Sequence, residues 1–385
     1  MLKPARIAIL ILILACSVAS SCATASKNNP QGNIHSITNP FKFSISEWEL
    51  DSLGHQLWES LKPASQIDLN DTEIVREYFA SIRQDESVRK QLEDEAERIL
   101  SYQIRATLIE EGITNPLDAW LPIKVVFPPV NFEFESPPGL LVLSPRNEIR
   151  LLKRTTLEAD LTTEEKERIE SEVDALGYSA LVVRLGGVGF TYPTMVYETS
   201  DIQRAINIAV EEWFHQYMAF HPLGFLYVLD GIGWRPDYDI IIMNETTAGI
   251  VNKEIGSKVY QKYYAGNEPQ ISPPVESDFD FDLQMRQIRI EVDKYLAEGK
   301  VDEAEEYMRQ MRDFLVSKGY HIRKLNQAYF AFHGTYADEP TTTSPIGQDL
   351  QELRKMCSSL REFLDKVTVM TSYEDLKKAL EETVK

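Results

Sequence analysis

The chain has 385 residues and carries 60 acidic against 40 basic side chains, which gives a formal net charge of −20. This excess of negative charge disfavours nucleic acids and anionic lipid surfaces as partners. Hydrophobic residues make up 43% of the chain and charged residues 26%, the balance of a folded protein long enough to bury a sizeable core.

The first 22 residues have the pattern of a secretory signal peptide. Basic residues precede the short apolar run IAILILILA, and small residues follow it. The sequence ASSC, which ends at Cys22, resembles a bacterial lipobox, in which the cysteine is lipidated after cleavage. Cys16 is the alternative lipidation site, and an uncleaved anchor or plain secretion is the alternative fate. We therefore expect an extracytoplasmic protein held to the membrane through Cys22 by a flexible polar tether over 23–43.

The next region, 44–120, is predicted to be helical. The stretch 44–61 is amphipathic, and 71–111 carries leucine and isoleucine at helical spacing with charged pairs four residues apart. The second stretch has the length of one continuous helix or of two helices separated by a break.

A sheet and three helices are expected in a core region over 121–265. Short runs rich in β-branched and aromatic residues predict strands at 123–130, 130–136 and 139–145. A polar helix is expected over 162–176. The sequence YSALVVRLGGVGFTYPTMVYE follows it and predicts two strands around a turn at Gly186 and Gly187.

Two longer helices complete this core region. Ser200 and Gln203 form a capping-box pattern that opens the first of them, and the sequence HPLG at 221–224 ends it. The second is expected over 238–264.

The last region, 266–385, is predicted to be helical after an acidic loop over 267–282. The sequence LAEGK at 296–300 predicts a tight turn between two antiparallel helices. Further helices are expected at 321–332, 348–366 and 373–382. Helices, then a small and mostly antiparallel sheet, then helices again predict an α+β fold.

The stretch VEEWFHQYMAFHPLG, at 210–224, is close to the zinc-peptidase pattern H-E-x-x-H, with Glu211 in place of the first histidine. Residues four apart lie on one face of a helix, so Glu211 and His215 can hold one ion. Glu212 occupies the position of the general base in such enzymes. The same letters also suit a core helix with two solvated carboxylates, so the stretch alone does not decide.

Two further features strengthen the metal-site interpretation. Glu245, in NETTA, opens a second helix and stands where thermolysin-type sites take their third ligand. The segment GGVGFTYPTMVYE, ahead of the motif helix, reads as a strand with a glycine-rich approach. Such an edge strand can pair with an extended peptide beside the site.

Together these segments resemble an uncharacterised bacterial family of zincin-like, gluzincin-type metallopeptidases. Its members are similar in H-E-W-x-H-x-Y, then F-x-P-L-G, then N-E-T-x-A-x-I-V-x-x-E-I-G. The sequences LNQAYFAFHGTYAD and TSYEDL also look familial, so the resemblance covers most of 45–378. It implies a mainly helical zincin-like fold and a metal-site layout, and it brings no substrate.

The resemblance makes His215 and Glu245 metal ligands and Glu212 the general base, and Glu211 departs from the family pattern. A carboxylate can bind zinc through oxygen, so the site is not chemically excluded. Two anionic ligands would lower the Lewis acidity of zinc and make manganese or iron more competitive. Without a metal, the clustered carboxylates would repel one another and some would take up protons.

Four other residues are secondary candidates. His333 and Tyr336 could donate a hydrogen bond to an oxyanion. His221 could replace a missing ligand, and Asp230 could orient His215. Each has a structural alternative. His333 would be a surface histidine and Tyr336 a half-buried tyrosine. His221 would belong to the helix end, and Asp230 would form a turn. The aromatic and apolar residues of the motif helix are expected to be core: Trp213, Phe214, Tyr217 and Met218.

Two functional hypotheses remain open at this stage. The first is a membrane-anchored, extracytoplasmic peptidase that uses zinc, manganese or iron to activate water against a peptide bond. The second is a catalytically inactive zincin-like lipoprotein, with or without metal, that binds peptide or a partner in the cell envelope. Likeness of fold does not establish turnover.

Overall fold

The computed structural model describes residues 30–44, 71–82, 85–115, 125–266, 279–336 and 339–384. The signal peptide with Cys16 and Cys22, nearly all of the helix predicted over 44–61 and the loop at 267–278 lie outside these ranges, so they stay predictions. Among the helices that are described, none combines the length and the apolar character needed to cross a bilayer.

About 60% of the structure is helical, and with its small sheets it has the expected α+β class. The helices ahead of the motif are α1 (Pro30–Thr38), α2 (Thr72–Ser81), α3 (Glu86–Glu110) and α4 (Thr163–Asp174). Those from the motif onward are α5 (Ile202–Met218), α6 (Pro222–Gly231), α7 (Tyr238–Tyr263), α8 (Phe281–Ala297), α9 (Val301–Ser317), α10 (Gln327–His333), α11 (Ile346–Met356), α12 (Leu360–Val367) and α13 (Tyr373–Val384).

The strands form two three-stranded sheets instead of the single sheet expected. They are β1 (Phe132–Phe134), β2 (Gly139–Pro145), β3 (Lys153–Leu157), β4 (Tyr178–Arg184), β5 (Gly187–Val188) and β6 (Thr194–Val196). One sheet is antiparallel with the order β3-β2-β4, and Leu141 lies opposite Thr155 on one side and Val182 on the other. The other has the order β1-β6-β5, in which β1 and β6 are parallel.

The sequence around Gly186 and Gly187 predicts two strands, and the structure has three there, β4, β5 and β6. Strand β4 pairs with β2 in the antiparallel sheet, whereas β5 pairs with β6 in the other sheet. Strand patterning shows which residues alternate between faces, but not which strand each one will pair with. The predicted strand over 123–130 is also absent from its described part, 125–130. Two prolines there lack the N–H groups that a sheet ladder needs.

Helix ends follow the side chains that can cap them. The break between α2 and α3 coincides with Asp85, whose carboxylate accepts from the first turn of α3. The capping box at the start of α4 is present, with Thr162 and Glu165 as its two members. The capping box predicted at Ser200 is wrong, because Asp201 caps α5 through the N–H of Arg204.

Other differences lie near the two ends of the chain. The tether predicted over 23–43 is helical in α1, and Ile34 is buried against the antiparallel sheet. The helix predicted over 321–332 begins only at Gln327, after the cap Asn326. The helix predicted over 348–366 is two helices, because Ser359 caps α12 and interrupts the run.

The largest core lies where α5 and α7 pack together, with α3, α6 and the C-terminal helices around them. Trp213, Phe214, Tyr217 and Met218 are buried there, which confirms the prediction that they are core. The indole of Trp213 donates to the carbonyl of Pro128 at 2.8 Å. Burial of these four side chains, each contributing about 1.5–3 kcal/mol, fixes the rotation of α5 about its axis. That rotation decides where the polar residues of the same helix point.

Candidate metal centre

Helices α5 and α7 bring Glu211, His215 and Glu245 together. One ligand atom from each residue lies within 4.8 Å of the others, and His215 Nε2 is 3.6 Å from Glu245 Oε2. His215 and Glu245 are 8% and 6% exposed, and Glu211 is half-buried. The helical spacing of the first two residues and the packing of α7 across them therefore assemble a group that could hold a metal ion.

His215 is oriented from α7, by the residue next to the third candidate ligand. Its Nδ1 lies 2.9 Å from Oδ1 of Asn244. With the proton on Nδ1, this contact is a hydrogen bond donated to Asn244, and the lone pair of Nε2 faces the carboxylates. Metal-binding histidines are commonly oriented in this way. Asp230 fits the alternative of a turn-forming aspartate better than a role in orienting His215, because it accepts from Arg154 and from the N–H of Asp237.

The carboxylate of Glu245 has one satisfied and one unsatisfied oxygen. Oε1 accepts a hydrogen bond of 2.6 Å from the hydroxyl of Tyr227. Oε2 is buried, has no hydrogen-bond partner among the described residues and lies on the side of His215. A buried anionic oxygen without a donor is costly. A divalent cation between Glu245 and His215 would satisfy it, so the residues present fit such an ion.

Glu211 provides an oxygen where the related pattern has an imidazole nitrogen. Its Oε2 accepts from Nδ2 of Asn252 at 2.5 Å. Burial and the nearby charge of Glu245 raise the pKa of Glu211, while His215 and Asn252 act in the opposite direction. A cation at this position would therefore compete with a proton for Glu211.

Glu212 points from the same helix toward β5. Its carboxylate accepts a hydrogen bond from the N–H of Gly189, and a Cβ on Gly187 would lie 2.5 Å from its Cγ. Burial and the charges of Glu211 and Glu245 raise the pKa of Glu212 well above its ordinary value. The glycines noticed in the sequence are thus needed for close approach to this carboxylate.

Tyr336 lies within electrostatic reach of the carboxylates and His333 does not. Burial and the charges of Glu245 and Glu211 raise the pKa of Tyr336 well above its ordinary value, so its phenol stays protonated. The ring of His333 instead packs on Tyr329 at 4.3 Å, and burial alone lowers its pKa to about 4. Of the two oxyanion candidates, the structure places only Tyr336 beside the carboxylates.

His221 lies outside the candidate metal group. It is the N-cap residue of α6, and its ring packs against Tyr217 at 4.8 Å. The cluster of possible ligands in the described chain does not include it. The predicted role of His221 as a replacement ligand is therefore not supported by its position.

Four residues of the site escaped sequence reasoning. Asn244 and Asn252 stand one residue before and two helical turns after Glu245, so helical spacing could have pointed to both. Tyr227 and Arg154 carry no such signal. Arg154 lies on β3 of the antiparallel sheet and contacts Tyr227 on α6, far away in the sequence. Their contribution depends on how the sheet packs against α6.

Comparison with known proteins adds no relative to this picture. No protein-family model, no curated protein and no solved structure matches the chain.

We expect the purified protein to bind about one divalent ion per chain, because three ligand atoms converge on a buried, unpaired carboxylate oxygen. His215→Ala should abolish binding, and Glu211→His should keep it. His221→Ala is the matched control and should bind as the wild type does. Elemental mass spectrometry after dialysis measures these contents. Metal found only in Glu211→His would contradict a working site.

The metal-free protein should lose stability as the pH rises above the ordinary glutamate pKa of 4.5. Glu212 has a raised pKa in the folded state, so the folded state binds more protons than the unfolded state above that pH. Each unit of the rise corresponds to about 1.4 kcal/mol of unfolding free energy. Urea unfolding measured between pH 4.5 and 8 gives the unfolding free energy at each pH. This free energy should fall less steeply with pH in Glu212→Gln than in the wild type. An equal dependence on pH in both proteins would refute this account.

Proposed function

We propose that this protein is a metal-dependent hydrolase of peptide bonds. The observation that carries the proposal is the convergence of Glu211, His215 and Glu245 on one point, with Glu212 directly beside them. A divalent cation held there would supply Lewis acidity for the attack of water on a carbonyl. The remaining chemistry would come from side chains of this chain.

Glu212 is suited to move the proton of the attacking water. Burial and the neighbouring carboxylates raise its pKa well above the ordinary value, which favours a carboxyl that can both accept and return a proton. The hydrogen bond from Gly189 holds the carboxylate against β5 and so limits its position. Glu212 would take the proton from water and pass it to the leaving amine.

Tyr336 is suited to stabilise the negative charge that develops on the carbonyl oxygen. Burial and the nearby carboxylates raise the pKa of Tyr336 well above its ordinary value, so its phenol keeps the proton that it would donate to this oxygen. A donor fixed in a partly buried site is worth more than the same donor in water. His333 has no part in this proposal, because it faces Tyr329 and Phe332.

A peptide is the favoured substrate because of the strand beside Glu212. In the described part of the chain, strand β5 lies at the edge of its sheet, and a Cβ on Gly187 would lie 2.5 Å from Cγ of Glu212. An extended peptide that added to this edge would place a carbonyl next to the carboxylate. Backbone pairing of this kind binds peptides and would not bind esters or other amides in a comparable way.

Glu211 bears on the rate and on the choice of metal more than on the fold. Together with Glu245 it gives a ligand set with two negative charges, which would neutralise a divalent cation. Zinc would be a weaker Lewis acid in such a set, and manganese or iron would compete better for it. The same feature favours the second candidate, an inactive zincin-like protein that binds peptide or an envelope partner.

We also propose that the protein is anchored to a bacterial membrane from its extracytoplasmic side, on the strength of the ASSC sequence ending at Cys22. Cys22→Ala should abolish incorporation of labelled palmitate. Cys16→Ala is the matched control and should leave the labelling unchanged. Labelling that depends on Cys16 instead would overturn the assignment of Cys22.

Glu212→Gln should lower peptide hydrolysis by about 10²–10⁴-fold and leave the bound metal in place, because it removes a proton acceptor and no ligand. Cleavage of a mixed peptide library, followed by mass spectrometry, measures the loss. Glu254→Gln is the control, because Glu254 lies on α7 but pairs with Arg354 outside the site. A metal-loaded wild type that cleaves no peptide would favour the binding protein over the enzyme.

A further inference from the structure

A chain of hydrogen bonds leads away from the candidate ligand Glu245. Its Oε1 accepts from the hydroxyl of Tyr227 at 2.6 Å, and that hydroxyl oxygen lies 3.3 Å from Nη1 of Arg154. Nη2 of Arg154 donates to Asp230 at 3.0 Å, and Asp230 also accepts the N–H of Asp237 at 2.9 Å. The chain joins the antiparallel sheet, α6 and α7, because these residues lie on different elements.

The direction of the hydrogen bonds in this chain is determined by chemistry. A guanidinium can only donate, so the hydroxyl oxygen of Tyr227 must accept from Arg154. The single proton of that hydroxyl is then available only to Glu245. Oε1 of Glu245 is thus held by a donor, and Oε2 is left as the oxygen that faces His215.

Tyr227 also touches the second candidate ligand. Its ring stacks on the imidazole of His215, with the ring centroids 5.5 Å apart and the planes 13° apart. The guanidinium of Arg154 also lies over the ring of Tyr227, 5.3 Å from its centre. One side chain therefore limits the orientation of both His215 and Glu245.

Solvent has little access with which to replace these contacts. Tyr227 is only 7% exposed, so water has little access to its hydroxyl. Removal of the hydroxyl would leave Oε1 of Glu245 buried without its donor. Glu245 could then rotate, or turn both of its oxygens toward a cation.

We propose that Tyr227 and Arg154 are positioning residues for the metal centre. Tyr227 presents Glu245 to the cation through one oxygen, and Arg154 acts through Tyr227 to draw negative charge away from that carboxylate. This role has particular value here, because Glu211 adds a second anionic ligand. The inference rests on the proposed function, since it concerns the same metal site.

The test is the affinity of the full-length protein for Co²⁺ and Zn²⁺, together with the visible spectrum of the cobalt form. Tyr227→Phe should weaken binding by about 10–100-fold and change the cobalt spectrum, as loss of an outer contact to a ligand does. Tyr264→Phe is the matched control. It removes another buried tyrosine hydroxyl, which donates to Gln103 at 2.7 Å away from the site, and should leave affinity and spectrum unchanged.

The role of Arg154 is tested by a double-mutant cycle. Arg154→Met should weaken binding in the wild-type background and have no further effect in Tyr227→Phe, because Arg154 acts through that hydroxyl. Arg154→Lys, which keeps the charge, should restore part of the loss. If Tyr227→Phe does not fold, Arg154→Met and Arg154→Lys on their own decide the matter.

The outcomes separate this inference from the proposed function. Wild type that binds the ions, with variants whose affinity and spectrum match it, would overturn the positioning role and leave the metal site intact. Additive losses in the cycle would show that Arg154 does not act through Tyr227. Wild type that binds neither ion would overturn both proposals.

Discussion

The structure around the motif depends on one constraint, the close approach of three carboxylates where α5 packs against α7. Glu211, Glu212 and Glu245 share a small space, and two of them have a raised pKa because of burial and mutual repulsion. The apolar face of α5 forces this arrangement, since Trp213 and Phe214 must enter the core. The free energy from that packing offsets the cost of bringing like charges together.

The surrounding residues donate hydrogen bonds to some of the carboxylate oxygens and not to all of them. Each carboxylate has a donor from a different place: Asn252 for Glu211, the N–H of Gly189 for Glu212 and Tyr227 for Glu245. These donors hold the carboxylates in position without neutralising them. Oε2 of Glu245 has no donor in the part of the chain that the structure describes. A proton or a cation would satisfy this oxygen, and we propose a cation.

Glu211 changes the chemistry of the site without changing its framework. It lies one turn before His215 on the same face of α5, so it reaches the same point that a histidine would. Asn252 and Tyr227 each donate a hydrogen bond to one of the two carboxylates that we propose as ligands. The proposed site thus combines a weaker ligand set with contacts that moderate it.

The sequence by itself determined the α+β class, most helix positions and the local grouping of Glu211, Glu212 and His215. These depend on helical periodicity, capping residues and the spacing of neighbours along one helix, all of which are local. The tertiary structure decided which strands pair, which partner Asp230 has, and that Tyr227 joins Arg154 to Glu245. These contacts depend on how separate elements pack against one another, and local sequence patterns do not predict that packing.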